Sequence, residues 1–268
     1  MQKTVFKGSI WIILLVALLS PLGAQEVARL IDLTHPFDHT TIYWPTNLSF
    51  HLDIVHKGLT EKGYWYETND YRASEHGGTH MDAPVHFAKG KWSVDQIPLS
   101  RLIGAGIKVD VSAKAHRDYL ISEQDFLDWE QQHGRVPQGA IVLVRTGWER
   151  FWPDKEQYLG SDKPGDTQNL HFPGFSKEAA LFLTKDRDIH AVGLDTASLD
   201  YGQSQDFSAH RIFGEANTPG FENLHNLDRL PATGFRVFAL PMKIGKGSGA
   251  PLRIIVEMKE VTAKETHP

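Results

Sequence analysis

Apolar positions along this chain fall in short runs separated by turn residues, and their spacing changes from run to run. Ile107-Lys-Val-Asp-Val111 alternates, the period of a strand with one covered face. Ala140-Ile-Val-Leu-Val144, Ala191-Val-Gly-Leu194, Phe235-Arg-Val-Phe-Ala-Leu240 and Leu252-Arg-Ile-Ile-Val256 are nearly continuous, which predicts buried strands. Two segments carry helical spacing instead. One opens at Ser122, places Phe126, Trp129 and Glu130 together and stops at His133-Gly134. The other opens at Ser176 and runs through Ala179, Ala180 and Leu183. Each helix precedes an apolar strand, so the expected class is an α/β or α+β domain with a mixed sheet. The stretch 148–174, rich in Pro, Gly, Asp and aromatics, reads as a long ordered loop of the functional kind.

The first residues follow a different pattern. Lys3 and Lys7 precede an apolar run from Ile10 to Leu19, followed by Ser20-Pro-Leu-Gly-Ala24. This is the layout of a secretory signal peptide over residues 1–24, too short in its apolar part to anchor the chain in about 30 Å of hydrocarbon. A single domain over residues 25–268 would remain, secreted or periplasmic, with no membrane anchor after cleavage. The 268 residues carry a net charge of −5 and no basic cluster, which argues against a nucleic-acid partner. Cysteine is absent. Thiolate nucleophiles and cysteine-based metal sites are thereby excluded, so any metal must be held by His, Asp and Glu.

Three of the 14 histidines crowd into Glu75-His76-Gly-Gly-Thr-His80-Met-Asp82-Ala-Pro-Val-His86. Residues 76, 80, 82 and 86 share parity and would face one side of a strand. His80 and Asp82 would stand about 6.6 Å apart along it, close enough to grip one ion. His76 and His86 are too far apart for one site unless the chain bends, and Gly77-Gly78 and Pro84 provide the bends. Two imidazoles and a carboxylate make an open divalent metal site, and a nitrogen–oxygen donor set suits Mn2+ or Zn2+. His86, just beyond the ligands, is a candidate fourth ligand or, the favoured reading, the candidate general base. An exported metal-binding protein without catalysis would need no such base. Trp44 is a candidate wall for a flat substrate or a packing residue; Phe87 and Phe207 could line the pocket, with core packing the first expectation for each. His35, before Pro36, reads as a turn position. Asp195 reads as structural, and His225 as solvent-facing. Gly245-Lys-Gly-Ser-Gly249 matches neither a phosphate loop nor a nucleophile elbow and reads as a turn.

The motif His76-x-Gly-Thr-His80-x-Asp82-x-Pro84-x-His86 resembles the signature of the cyclase-like metal hydrolases, which include bacterial kynurenine formamidases and isatin hydrolases. The resemblance extends from Ile31-Asp-Leu-Thr-His35 to Pro251-Leu-Arg-Ile254. It implies a mixed sheet curled into a partial barrel with flanking helices (the swivelling β/β/α type), and a homodimer or larger homo-oligomer. It also implies that His210 and Glu222 complete the site of His76, His80 and Asp82 or hold a second metal beside it, with His86 as base. Tyr43-Trp-Pro-Thr46, Glu75-His-Gly-Gly78, Asp200-Tyr-Gly-Gln-Ser204 and Leu240-Pro-Met-Lys243 are most similar to the isatin hydrolase branch. Pro45-Thr-Asn47 departs from the Pro-Gly-Asp of many formamidases, and those chains lack much of the 148–174 loop. The expected substrate is a small amide, isatin before N-formylkynurenine.

Overall fold

The computed structural model describes residues 28–259; the expected signal peptide lies outside them. The strands are β1 (Ala28–Asp32), β2 (His51–Leu59), β3 (Trp65–Arg72), β4 (His80–Asp82), β5 (Ile103–Asp110), β6 (Leu120–Ile121), β7 (Ile141–Arg145), β8 (Gly174–Phe175), β9 (Ala191–Leu194), β10 (Gly220–Glu222), β11 (Phe235–Pro241) and β12 (Gly249–Lys259). The helices are α1 (Leu99–Leu102), α2 (Glu123–His133), α3 (Lys155–Leu159), α4 (Lys177–Leu181) and α5 (Ser208–Glu215).

Eight strands form one mixed sheet in the order β1-β12-β11-β5-β7-β9-β10-β4. The sheet does more than curl. The first residues of β12 pair with β4, closing seven strands into a ring with β1 outside it. β12 is long enough for both tasks: Gly249–Pro251 pair with β4 and Ile255–Lys259 with β1 along one edge, while β11 covers the other.

The continuous apolar runs follow from this layout. On β7, Ile141 and Leu143 point into the ring, where they meet Met81, Phe221, Val237, Ala250 and Ile254. Val142 and Val144 point outward, onto Phe126 and Trp129 of α2, Ala179 and Ala180 of α4 and Phe213 of α5. A strand covered on both faces has no position for a polar side chain. Helix α2 starts where expected. The Ser122 side chain accepts the Asp125 amide and the Asp125 carboxylate accepts the Ser122 amide, closing both ends of a capping box. The stretch 148–174 is ordered and includes α3. Its Trp148, Tyr158, Leu159, Leu170 and Phe172 form a third core with Ile42.

One element has no counterpart in the sequence reading. β2 and β3 pair antiparallel as a two-stranded ribbon apart from the ring. Nearly every residue in it is exposed, so no burial alternation marked it in advance.

Phe221, fully buried on β10, ties the metal-facing strands to the core. Phe221→Ala is expected to destabilise the fold by about 3–5 kcal/mol, read from a urea midpoint with unchanged slope.

Candidate metal centre

β4 is three residues long and buried throughout. Its neighbours are β10 on one side, with Glu222 opposite His80 and Gly220 opposite Asp82, and β12 on the other, with Gly249 opposite Asp82. Alternation sends Met81 and Phe221 into the core and turns His80, Asp82 and Glu222 to the same outer face. The chain before β4 bends at Gly78, whose φ of +59° suits glycine, and this brings His76 back over the strand. Gly249 is needed for a different reason: a Cβ there would collide with the His76 ring. After Asp82, Pro84–His86 form a 3-10 turn, and the His86 ring stacks on His76 at 3.8 Å. Both bends expected around the central pair are present.

His210 arrives from α5. The Asp200 carboxylate accepts the Ala209 and His210 amides at 2.9 and 3.0 Å, holding the helix start, and lies 2.6 Å from His210 Nδ1. The opposite ring nitrogen of His210 is 3.0 Å from Asp82 Oδ2 and 3.1 Å from Glu222 Oε1. Asp82 Oδ1 is 2.7 Å from His76 Nδ1 and 3.2 Å from His80 Nε2. The structure thus gathers His76, His80, Asp82, His210 and Glu222 into two metal-sized groups that share Asp82: His76/His80/Asp82 and Asp82/His210/Glu222.

This donor set fits a divalent metal. His80 Nδ1 faces the Gly78 carbonyl at 3.0 Å, which turns Nε2 toward Asp82 and Glu222. That Nε2 is buried and has no hydrogen-bond partner, as expected of a nitrogen meant for a ligand bond. The electrostatics agree. Burial alone would lower the His80 pKa, but the Asp82 and Glu222 carboxylates outweigh it and hold the ring up at about 9. Against the same burial, Asp200, Asp82 and Glu222 raise His210 well above its ordinary value. Burial and the neighbouring Asp82 push Glu222 upward. Two buried carboxylates need positive charge beside them, and bound protons supply it where a dication would otherwise do so. His86 goes the other way: burial lowers it to about 4 against the pull of Asp82, so at neutral pH it is an acceptor.

A pocket of about 250 Å³ opens above the cluster, lined by Tyr43, Trp44, Phe87, His86 and Phe207. Trp44 lies in this wall and also packs against the third core, its ring 6.4 Å from that of Phe172. Phe87 and Phe207, expected in the core, line the pocket too; their rings lie 5.3 Å apart, and Phe87 packs at 4.5 Å on His210. Asn47 donates to the His76 carbonyl at 3.1 Å, joining the 42–47 wall to the metal-facing loop.

Several residues that hold the cluster gave no signal of their own in the sequence. Asp200 is one. Ser248 is another: its Oγ is 3.0 Å from His76 Nε2 and donates to Glu75 Oε2 at 2.7 Å. The glycine-rich turn therefore carries one working hydroxyl, bound into the site's outer layer. Asn223 donates to the Gly78 carbonyl at 2.7 Å and accepts from Tyr158 at 2.9 Å. Asp195 is structural, as expected, accepting two backbone amides and the Thr146 hydroxyl. His225 is partly exposed but tied to Glu149 at 2.9 Å. His35 is not an open turn residue. It is buried, stacked on Trp152 at 4.1 Å and against His225 at 4.4 Å, and burial with the adjacent His225 lowers its pKa to about 3.

The cyclase family model matches residues 31–201. The chain belongs to the cyclase family. It is 32% identical to the isatin hydrolase of Roseibium aggregatum over 72% of this chain and 75% of that one. It is 25% identical to the kynurenine formamidase of Salinibacter ruber over 85% of this chain and 96% of that one. Among solved structures, isatin hydrolase A from Ralstonia solanacearum superposes with a TM-score of 0.78 at 31% identity, covering 87% of this chain and 92% of that one. Isatin hydrolase A from Labrenzia aggregata, bound to benzyl benzoate, gives 0.78 at 34% identity, covering 87% and 94%.

Two outcomes follow from this geometry. Asp200→Ala frees the His210 ring and should weaken metal binding roughly 10–100-fold in a chelator-competition titration; unchanged affinity would count against the orienting role. His35 binds its proton more weakly folded than unfolded, so its contribution to stability is complete above pH 6.5 and is lost as pH falls towards about 3. His35→Phe should flatten the dependence of the urea midpoint on pH across that interval, and an unaltered slope would refute it.

Proposed function

We propose that this chain is an exported metal-dependent hydrolase that opens a small cyclic amide of the isatin type, giving the ring-opened carboxylate. The observation that carries the reading is the placement of His86: a neutral imidazole on the pocket side of a His/Asp/Glu cluster fit for a dication. In this reading His76, His80 and Asp82 are ligands, and His210 and Glu222 complete the site or hold a second ion. A bound Mn2+ or Zn2+ would supply Lewis-acid activation of the carbonyl and of the attacking water. His86 takes the proton of that water and returns it to the departing nitrogen. Asp200 and Ser248 keep His210 and His76 turned towards the ion. Trp44, Phe87 and Phe207 give a planar substrate apolar faces and exclude water around the reacting carbonyl. The likeness to isatin hydrolases in sequence and structure supports the cyclic amide; the likeness to formamidases keeps N-formylkynurenine as the second reading.

Purified, metal-loaded protein assayed on both compounds separates them: kcat/KM should be higher for isatin, and the reverse order would move the assignment to the formamidase. His86→Ala should lower turnover by about 100-fold or more with metal content intact. His80→Ala should lose metal and turnover together. Export is tested by sequencing the amino terminus of protein recovered outside the cytoplasm, with Gln25 expected first.

A further inference from the structure

The pocket above the cluster has a second compartment beside it. Tyr43, Trp44 and Asn47 line that pocket, and the same three residues line a cleft of about 130 Å³. The far side of the cleft comes from the 148–174 stretch: Lys155 and Leu159 of α3, then Ser161, Asp162 and Lys163. Both sides are held in place. Leu159 belongs to the third core, the Gly165 amide donates to the Pro45 carbonyl at 2.9 Å, and a single β-bridge joins Tyr43 to Gly77. The two compartments differ in chemistry. Aromatic rings wall the first, whereas two ammonium groups mark the second, Lys155 partly buried and Lys163 exposed. Nearby acids are engaged elsewhere: Asp154 accepts the Gln157 amide and side chain, and Asp166 accepts the Ser161 hydroxyl and the Asn169 side chain. Asp162 is the one acid in the lining, which therefore carries one positive charge in excess.

Tyr43 stands where the compartments meet. It is 4% exposed, and its hydroxyl is buried without a hydrogen-bond partner. The ring packs so closely on Gly77 that a Cβ there would overlap it, so the hydroxyl is not free to turn towards another acceptor. Burial pushes its pKa up to about 12, which makes it a donor at neutral pH. A buried hydroxyl left unbonded is costly, and a ligand that accepts from it removes the cost. We propose that the cleft is a subsite for a carboxylate on the substrate, so that the amide opened here belongs to a planar ring bearing an acidic substituent. The amide part rests on the hydrolase reading above; the acid part rests on the cleft. The carbonyl lies over the cluster and the ring between the aromatic walls. The carboxylate, on the ring edge nearest Tyr43, accepts from that hydroxyl and pairs with Lys155 and Lys163. A neutral substrate leaves all three groups unused, and the single excess charge of the lining matches one carboxylate rather than a dianion.

The test assays metal-loaded protein on isatin and on isatins carrying a carboxylate at each free position of the benzene ring. For at least one acid kcat/KM should exceed that for isatin by about tenfold, the worth of one charge-assisted hydrogen bond. Lys155→Gln combined with Lys163→Gln should abolish that preference, chiefly through KM. Tyr43→Phe should reduce it severalfold without lowering the urea midpoint, because the hydroxyl it removes is one the fold leaves unbonded. Lys185→Gln, outside the cleft, should leave the ratio as it is. Four results would overturn the subsite and leave the hydrolase reading standing: isatin opened with no acid preferred, a preference that survives loss of both lysines, a ratio lowered equally by Lys185→Gln, or a midpoint that falls in Tyr43→Phe. Failure to open any of the compounds would instead remove the cyclic-amide reading, and the inference with it.

Discussion

A three-residue strand, His80–Asp82, must be hydrogen-bonded on both edges at once, and the rest of the structure answers to that constraint. β10 and β12 flank it, so closing the ring and assembling the ionisable cluster are one event. The pleat divides the labour. Met81 and Phe221 point inward and contribute the apolar burial that holds the three strands together, while His80, Asp82 and Glu222 point the other way from the same backbone. The register on each edge is therefore tightly specified: a slip of one residue would put a carboxylate in the core and a methionine in the metal cluster.

Burying four ionisable side chains, with His76 partly buried beside them, carries a penalty that only mutual pairing or a bound cation can offset. Every member has a partner set at close range. Asp82 faces three imidazoles, His210 lies between Asp200 on one nitrogen and Asp82 and Glu222 on the other, and His76 lies between Asp82 and Ser248. A layer beyond them, with Glu75 holding Ser248 and Asn223 holding the Gly78 carbonyl that faces His80, limits the rings to one orientation. Such a cluster is pre-arranged: donor positions are set by the backbone of the ring and by one helix start, so binding an ion needs little rearrangement.

Much of the fold was legible because its signals are local. Continuous apolar runs marked β7, β9, β11 and β12, and serines marked the starts of α2 and α4. His76, His80, Asp82 and His86 were legible for the same reason, lying within eleven residues with their bends between them. His210 and Glu222 came only from the family resemblance, since pairing across 128 residues between His210 and Asp82 leaves no spacing to read. Ser248 and Tyr158 were invisible as site residues because each touches a residue distant in sequence, and Asp200, ten residues before His210, because a lone aspartate at that spacing forms no motif. For Phe87 and Phe207 the core stood ahead of the pocket because an apolar pocket wall and an apolar core share a composition; only the closure of the chain around His210 decides between them. The ribbon was missed because neither of its faces is buried in the single chain, and periodicity reports burial.

The division between ring and loops also locates what can vary. The cluster's main donors sit on β4, β10 and the start of α5, where a change of backbone would break the barrel. The pocket walls come from elsewhere: residues 42–47 before the ribbon, Phe87 after the 3-10 turn, and Phe207 ahead of α5. The 42–47 segment is tied to the floor by a few bonds, Asn47 to the His76 carbonyl, Gly78 to the Ile42 carbonyl and one bridge between Tyr43 and Gly77, rather than by an extended strand ladder. The ionisable cluster thus belongs to the rigid part and the pocket wall to the connecting segments, so the wall can change while the cluster stays in place. A change of substrate within this fold should therefore be sought in the aromatic walls, and a loss of chemistry in the three-residue strand and its two neighbours.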